Sequence, residues 1–537
     1  MNTAADGASD PPAGPPPDSP APTPNEPFWR RPWLPLVVAS LAGLVHAASI
    51  APRPWPALQL LALMGLVMTL RGLPVRRAAL AGWLFGATWL GVSVWWLFIS
   101  MHRYGGLPAW LAAAAVVALA LFLGSFTAAA CGVWARWSGR GGLARDAVLF
   151  AALWLLTELL RAQWLTGFPW AASGYAHVDG LLAVLAPWLG VYGIGAAGAV
   201  TAAALGLWLK RALAMRRGAG AAALITLAVA ALLQWWAPRG PDFTTPAGRL
   251  TVTLLQGNVA QNEKFDPSLL PASLAWHDQA LRAATTDLVL APETAVPLLP
   301  QDLPFGYWDG LRSHFEHGKV AALFGVPLGE PRGGYTNSAV GMAAGLPTYR
   351  YDKHHLVPFG EFIPLGFRWF VDLMNMPLGD FNRGALVAPS FVVHGLRVAP
   401  NICYEDLFGE ELAARFVDPL QAPHLMANLS NIGWFGESFA VQQHLQISRL
   451  RTLELQRPML RATNTGATVV IDHRGVVTHA LAPHRVGVLV GEVGGRLGVT
   501  PYAAWAGRLG LWPLWILAML LVLLALKSPR RHGPAGA

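Results

Sequence analysis

The sequence predicts a membrane-spanning α-helical bundle with an α/β layered domain on its outer face. Three observations lead there. Of 537 residues, 54% are hydrophobic and only 13% charged, against about 25% charged in soluble domains. Eight apolar segments approach the ~20 residues that a helix needs to cross the hydrocarbon core. Between the seventh and eighth, residues 238–507 change character: short β-like runs alternate with amphipathic helical stretches, the pattern of a layered α/β domain.

Taken in order, residues 1–32 form a tail whose run Pro11-Pro-Ala-Gly-Pro-Pro-Pro-Asp18 has almost nothing to bury, so it is expected to be disordered. Seven apolar segments follow within 33–237, at roughly 33–51, 56–70, 78–98, 108–134, 147–165, 181–209 and 219–237; the eighth is 508–526. The loops between them alternate in Lys and Arg. Arg30 and Arg31 precede the first segment, and Arg53 stands alone after it. Arg71, Arg76 and Arg77 come next, then Arg103 alone, then Arg136, Arg140 and Arg145. Residues 162–180 have none; Lys210, Arg211, Arg216 and Arg217 cluster, and Lys527, Arg530 and Arg531 follow the last segment. The positive-inside rule then puts the tails 1–32 and 527–537 in the cytoplasm and 238–507 on the periplasmic face of a bacterial inner membrane. The net charge of +9 is accounted for by this topology and implies no nucleic-acid partner.

Two features of the helical region invite function. Glu158 and Arg161, three apart on one helix, can pair, and intramembrane charges are functional suspects; equally, Arg161 could snorkel to the interface. The uncharged aromatic loop Thr166-Gly-Phe-Pro-Trp170-Ala-Ala-Ser-Gly-Tyr175 suits an interfacial belt or a lipid-facing site mouth.

The outer domain reads as strands at 249–256, 288–291, 320–326, 396–399, 425–428 and 468–471, with helices at 268–284, 307–317, 405–417 and 437–454. Three groups there stand at element ends or in turns, where scaffolds present chemistry: Glu293 in Ala291-Pro-Glu293, Lys353 in Tyr351-Asp-Lys353, and Cys403 in Asn401-Ile-Cys403-Tyr404-Glu405. The chain has two cysteines, and Cys131 lies in an apolar segment, so no disulfide framework is expected. A thiol is a nucleophile only as thiolate, a carboxylate can take its proton, and a fixed ammonium can stabilise an oxyanion. Cys, Glu and Lys together specify acyl transfer through a thioester. Singly, each has a plainer reading: a small buried hydrophobe, a helix N-terminal acid, a solvated lysine. No metal-ligand spacing occurs, and no cofactor is implied.

The motifs around these residues resemble the carbon–nitrogen hydrolase (nitrilase) superfamily, with Tyr351-Asp-Lys353-His-His-Leu-Val-Pro-Phe-Gly-Glu361 as the longest match. With seven helices before that domain and one after, residues 33–526 resemble the apolipoprotein N-acyltransferase family. The resemblance implies an αββα sandwich, with Glu293 as general base, Lys353 as oxyanion stabiliser and Cys403 as nucleophile. It implies supporting roles for Glu361, Tyr404 and Glu405, and a mobile loop over the site bearing Trp434 and Phe435. It further implies a phospholipid acyl donor, a diacylglyceryl apolipoprotein acceptor at its N-terminal cysteine amine, and a monomer. Two other readings stay open at this point. A membrane-tethered amidase could use the same three residues, although a soluble amide needs no eight helices. A transporter is disfavoured by a bundle poor in ionisable residues beyond Glu158 and Arg161.

Overall fold

A computed structural model describes residues 31–527, apart from 51, 217, 237–239, 331–332 and 372–380. Residues 1–30 and 528–537, most of the two expected tails, lie outside the described residues.

The N-terminal half is helical: α1 (Leu34–Ala48), α2 (Pro56–Leu70), α3 (Val75–Ser93), the single turn α4 (Leu97–Ile99), α5 (Ala109–Trp137), α6 (Leu143–Gln163), α7 (Ala186–Met215) and α8 (Ala219–Trp235). Helices α1, α2 and α7 carry proline in the first turn, where the missing N–H costs no helical hydrogen bond. By length and composition, Ala109–Trp137 and the run Leu181–Met215 can each cross a membrane alone. Val75–Ser93 with Leu97–Tyr104 qualifies only as a pair bent by 60°. Helices α1, α2 and α8 are apolar, but their 15, 15 and 17 residues rise about 22–26 Å, short of a ~30 Å hydrocarbon core.

The C-terminal apolar stretch differs from expectation. The helix expected over 508–526 begins later, as α15 (Trp512–Lys527), and a separate α14 (Pro501–Leu509) precedes it and meets it at 90°. Gly510, at φ +56, adopts the left-handed backbone that ends α14, and Pro513 opens the next helix. Helix α14 packs on the α/β domain, its Gly507 against the carbonyl of Ala413.

The ion pair in α6 does form, with Arg161 Nη2 3.6 Å from Glu158 Oε1. Arg161 is 4% exposed and donates to the carbonyls of Phe168 and Trp170 at 3.1 and 2.5 Å, so it does not snorkel. Glu158 Oε1 accepts from Ser173 N and Oγ. Together they clamp the 166–175 loop. Trp170 and Tyr175 are buried, which corrects the interfacial belt: these rings sit in a joint between the two halves of the chain.

The second half contains β1 (Thr244–Gln256), α9 (Leu270–Arg282), β2 (Leu288–Leu290), α10 (Tyr307–Glu316), β3 (Ala321–Glu330), β4 (Gly334–Met342), β5 (Tyr349–Asp352), α11 (Arg368–Val371), β6 (Phe391–Val393), β7 (Leu396–Ile402), α12 (Gly409–Ala413), β8 (Leu425–Ser430), α13 (Ala440–Leu455), β9 (Met459–Thr463), β10 (Val469–Ile471), β11 (Val477–Ala480) and β12 (Gly487–Gly498). They form two six-stranded sheets, ordered β12-β1-β2-β3-β4-β5 and β11-β10-β9-β8-β7-β6. Strand alternation sorts the side chains into layers. Leu250, Val252, Leu288, Leu290 and Leu323 meet Val398, Ile402, Leu425, Ala427 and Leu460 between the sheets. The intervening Val289, Ala322 and Phe324 turn outward onto Leu274 and Leu281 of α9 and Leu311 and Phe315 of α10. On the other sheet Met426 faces α13 through Ile447 and Leu450. The order is helix, sheet, sheet, helix. Strands β1, β2 and β3 run parallel, as do β7, β8 and β9.

Candidate active site

The parallel segments place their carboxyl ends together, the usual place for a site in such sheets. Glu293 follows β2, Cys403 follows β7 and Asn431 follows β8; Lys353 follows the antiparallel β5. The Glu293 turn lies tight on β3: a Cβ at Gly325 would stand 2.4 Å from Thr294 N, so only glycine fits.

Glu293, Lys353 and Glu361 form one buried cluster. Lys353 Nζ lies 3.3 Å from Glu293 Oε1 and 2.9 Å from Glu361 Oε1. Asn337 Nδ2 donates to the same two oxygens at 2.7 and 2.6 Å. The outer oxygens accept from backbone, Glu293 Oε2 from Asn431 N at 2.8 Å and Glu361 Oε2 from Val357 N at 2.8 Å. Burial works against the Lys353 ammonium, but the charges of Glu293 and Glu361 outweigh it and hold its pKa above the usual lysine value. A second buried lysine, Lys264, donates to the Glu293 carbonyl at 3.1 Å. Burial lowers its pKa to about 8 against the pull of Glu293 and Cys403.

Cys403 sits on the sharp turn after β7 at φ +51, a left-handed conformation rare for a residue with a side chain. Burial pushes its thiol up to about 12, the Glu293 charge pushes the same way, and Lys353 opposes both. Glu293 and Lys353 are thus close enough to bias the thiol. A raised thiol pKa favours the neutral form at pH 7, and only the thiolate is reactive. Iodoacetamide labelling of Cys403, read by peptide mass spectrometry, is therefore expected to climb about tenfold per pH unit from 7 to 9 without a plateau. Levelling off below pH 8 would contradict this burial.

The remaining expected site residues divide by what they touch. Glu405 accepts from Ile402 N at 2.6 Å, Tyr351 Oη at 2.8 Å and His354 N at 2.7 Å. It ties the Cys403 turn to the segment that holds Lys353, and its oxygens are taken up by these bonds. Tyr404 Oη donates to the Gly167 carbonyl at 3.1 Å, joining the Cys403 turn to the helical half. Trp434 and Phe435 lie in the turn Gly433–Phe435. Phe435 packs on Trp96 with ring centres 4.1 Å apart, and Trp434 meets Tyr104 edge-on. Sequence reasoning missed Asn337 and Lys264: Asn337 belongs to an unread strand, and Lys264 is an unremarkable polar position in Gln261-Asn-Glu-Lys264. Among the described residues, no group of three His, Cys, Asp or Glu could hold a metal ion.

The fold and this cluster define a carbon–nitrogen hydrolase domain built against an apolar helical region. Family comparison agrees in both halves. Residues 251–502 match the carbon-nitrogen hydrolase model, and 42–204 match that of the apolipoprotein N-acyltransferase N-terminal domain. A protein of Verminephrobacter eiseniae named apolipoprotein N-acyltransferase is 52% identical, covering 95% of this chain and 98% of that one. Same-named proteins of Ralstonia nicotianae (44% identical; 93% and 94% covered) and Bordetella bronchiseptica (42%; 96% and 100%) extend the match. The chain belongs to the apolipoprotein N-acyltransferase family.

Proposed function

We propose that the chain transfers a fatty acyl group from a phospholipid to the N-terminal cysteine amine of diacylglyceryl-modified apolipoproteins, through a thioester on Cys403. One observation carries the lipid donor. The residue after the nucleophile bonds to Gly167 and the adjoining aromatic turn packs on Trp96, so the reaction centre is seated on the apolar helices. A donor whose acyl chain stays in the bilayer, at about 0.8 kcal/mol per CH₂, is thereby delivered where it reacts.

In the first half-reaction Glu293 takes the Cys403 proton as sulfur attacks the donor ester carbonyl. Lys353 holds the oxyanion. The ester C–O bond breaks, and Glu293 returns the proton to the departing lysophospholipid oxygen. In the second, the acceptor amine attacks the thioester, Glu293 takes the amine proton, and the thiol leaves with it. Glu361 and Asn337 keep Lys353 and Glu293 in register. Water must be scarce, or hydrolysis would compete. The charge alternation supports eight crossings of the inner membrane with 238–507 in the periplasm. All three reacting groups come from one chain, which supports a working monomer, and no cofactor enters.

The test is intact-protein mass spectrometry after incubation with phospholipid in detergent. The wild type is expected to gain one hydroxylamine-labile acyl mass, which a diacylglyceryl peptide with an N-terminal cysteine then removes as a stable amide. A folded protein that takes no adduct from any of several phospholipids would overturn the thioester.

A further inference from the structure

A strained turn persists only when its surroundings fix it, and the turn at Cys403 is held from behind. Its carbonyl oxygen faces two donors, His444 Nε2 at 3.2 Å and Asn428 Nδ2 at 3.4 Å. The sense of the first bond follows by elimination. Arg461 Nη2 lies 3.2 Å from His444 Nδ1, and a guanidinium can only donate, so Nδ1 is the acceptor and Nε2 carries the hydrogen. The Cys403 carbonyl can only accept. Asp406 Oδ2, at 3.9 Å from Nε2, is beyond hydrogen-bond reach.

This arrangement is rigid. His444, Asn428 and Arg461 are all buried, and Arg461 is anchored by Asp406 at 3.1 Å and by Ser448. Burial first, then the Arg461 charge, keeps His444 well below the usual histidine range, hence neutral. The preceding residue ties the same helix to the helical half: Gln443 Oε1 accepts from Trp96 Nε1 at 3.0 Å and Trp170 Nε1 at 2.7 Å, and its Nε2 donates to the Ser93 carbonyl. The Trp170 ring also covers His444, centres 5.7 Å apart.

We infer that His444 is a positioning residue for acyl transfer: its Nε2–H pins the Cys403 carbonyl, so the turn keeps the thiol beside Glu293 and Lys353, while Gln443 registers that turn against the tryptophans of the helical half. The inference rests on Cys403 being the nucleophile.

The test compares His444→Leu, which fills much of the ring's volume without a donor, with His444→Gln, whose amide can reach the Nε2 position. Full-length proteins in detergent are assayed for thermal midpoint, acyl-adduct formation from phospholipid, and Cys403 alkylation resolved by peptide. His444→Leu is expected to slow adduct formation on the order of tenfold to a hundredfold at unchanged KM for the phospholipid. His444→Gln should stay within about threefold of wild type. Should the leucine variant not fold, His444→Asn, too short to reach the carbonyl, replaces it. The inference is overturned if the variant without the donor acylates at the wild-type rate, or if His444→Gln falls as far as it does. A wild type that never acylates would count against Cys403 as nucleophile instead; alkylation then still decides, since equal rates in all three proteins would overturn the role of His444.

Discussion

Cys403→Ala is expected to lower acyl transfer by at least about 10⁴-fold while leaving the protein folded. In the proposed route every bond made or broken passes through this sulfur, first as attacking atom and then as leaving group. Alanine can do neither, and Cys131, the other cysteine, is buried in α5 among the apolar helices. The folded state has little reason to notice. Alanine at φ +51 is no more strained than cysteine, and losing one half-buried sulfur costs about 1 kcal/mol. The Glu405 brace to Ile402, Tyr351 and His354 needs only the backbone at this position. Peptide N-acylation beside a thermal unfolding scan separates the two effects. An alanine variant with turnover within tenfold of wild type would sink the thioester route, whatever its stability.

What the sequence disclosed, and what it withheld, follows from the kind of signal each feature leaves. Glu293, Lys353 and Cys403 drew notice because each stands at an element end or in a turn, and the motifs around them are long enough to carry a resemblance. The layered fold was legible from strands such as β2 and β8, whose apolar residues alternate between two cores. Strand β4 left no such trace. Its Gly334–Met342 stretch is mostly Gly, Thr, Asn, Ser and Ala, with Tyr335, Val340 and Met342 as its only large apolar positions, and it carries Asn337, which bonds both site carboxylates. His444 is one polar residue of a helix, and nothing in Gln442-Gln443-His444 says which ring nitrogen will meet a carbonyl 41 residues away. The 166–175 loop misled in a different way. An uncharged aromatic loop has the same composition whether it faces lipid or protein, and only the carbonyl bonds from Arg161 decide between them. The last apolar segment was read as starting at 508 because apolarity has no direction, whereas the chain turns through a right angle between Leu509 and Trp512 before α15 begins.

Lys353→Met is expected to cost at least about 10³-fold in turnover, more than an oxyanion donor alone accounts for. The lysine is 1% exposed and is the cation between Glu293 Oε1 and Glu361 Oε1. Removing it leaves two buried carboxylates joined only through the Asn337 amide. Like charges so close in a dry site do not both stay ionised, so one takes up a proton. When that is Glu293, the base of the proposed route is already occupied. In that route a single substitution thus removes the oxyanion stabiliser and disarms the group that generates the thiolate. Lys353→Arg should not rescue, since a guanidinium's planar fork does not fit a point-charge pocket framed by Asn337 and two carboxylates. The double variant Lys353→Met with Glu361→Gln separates the two losses. With one carboxylate neutralised, Glu293 can ionise again, while acyl transfer, still lacking its oxyanion donor, should stay at least about a hundredfold below wild type. If acyl transfer recovered fully, the lysine would be acting only through the charge state of Glu293.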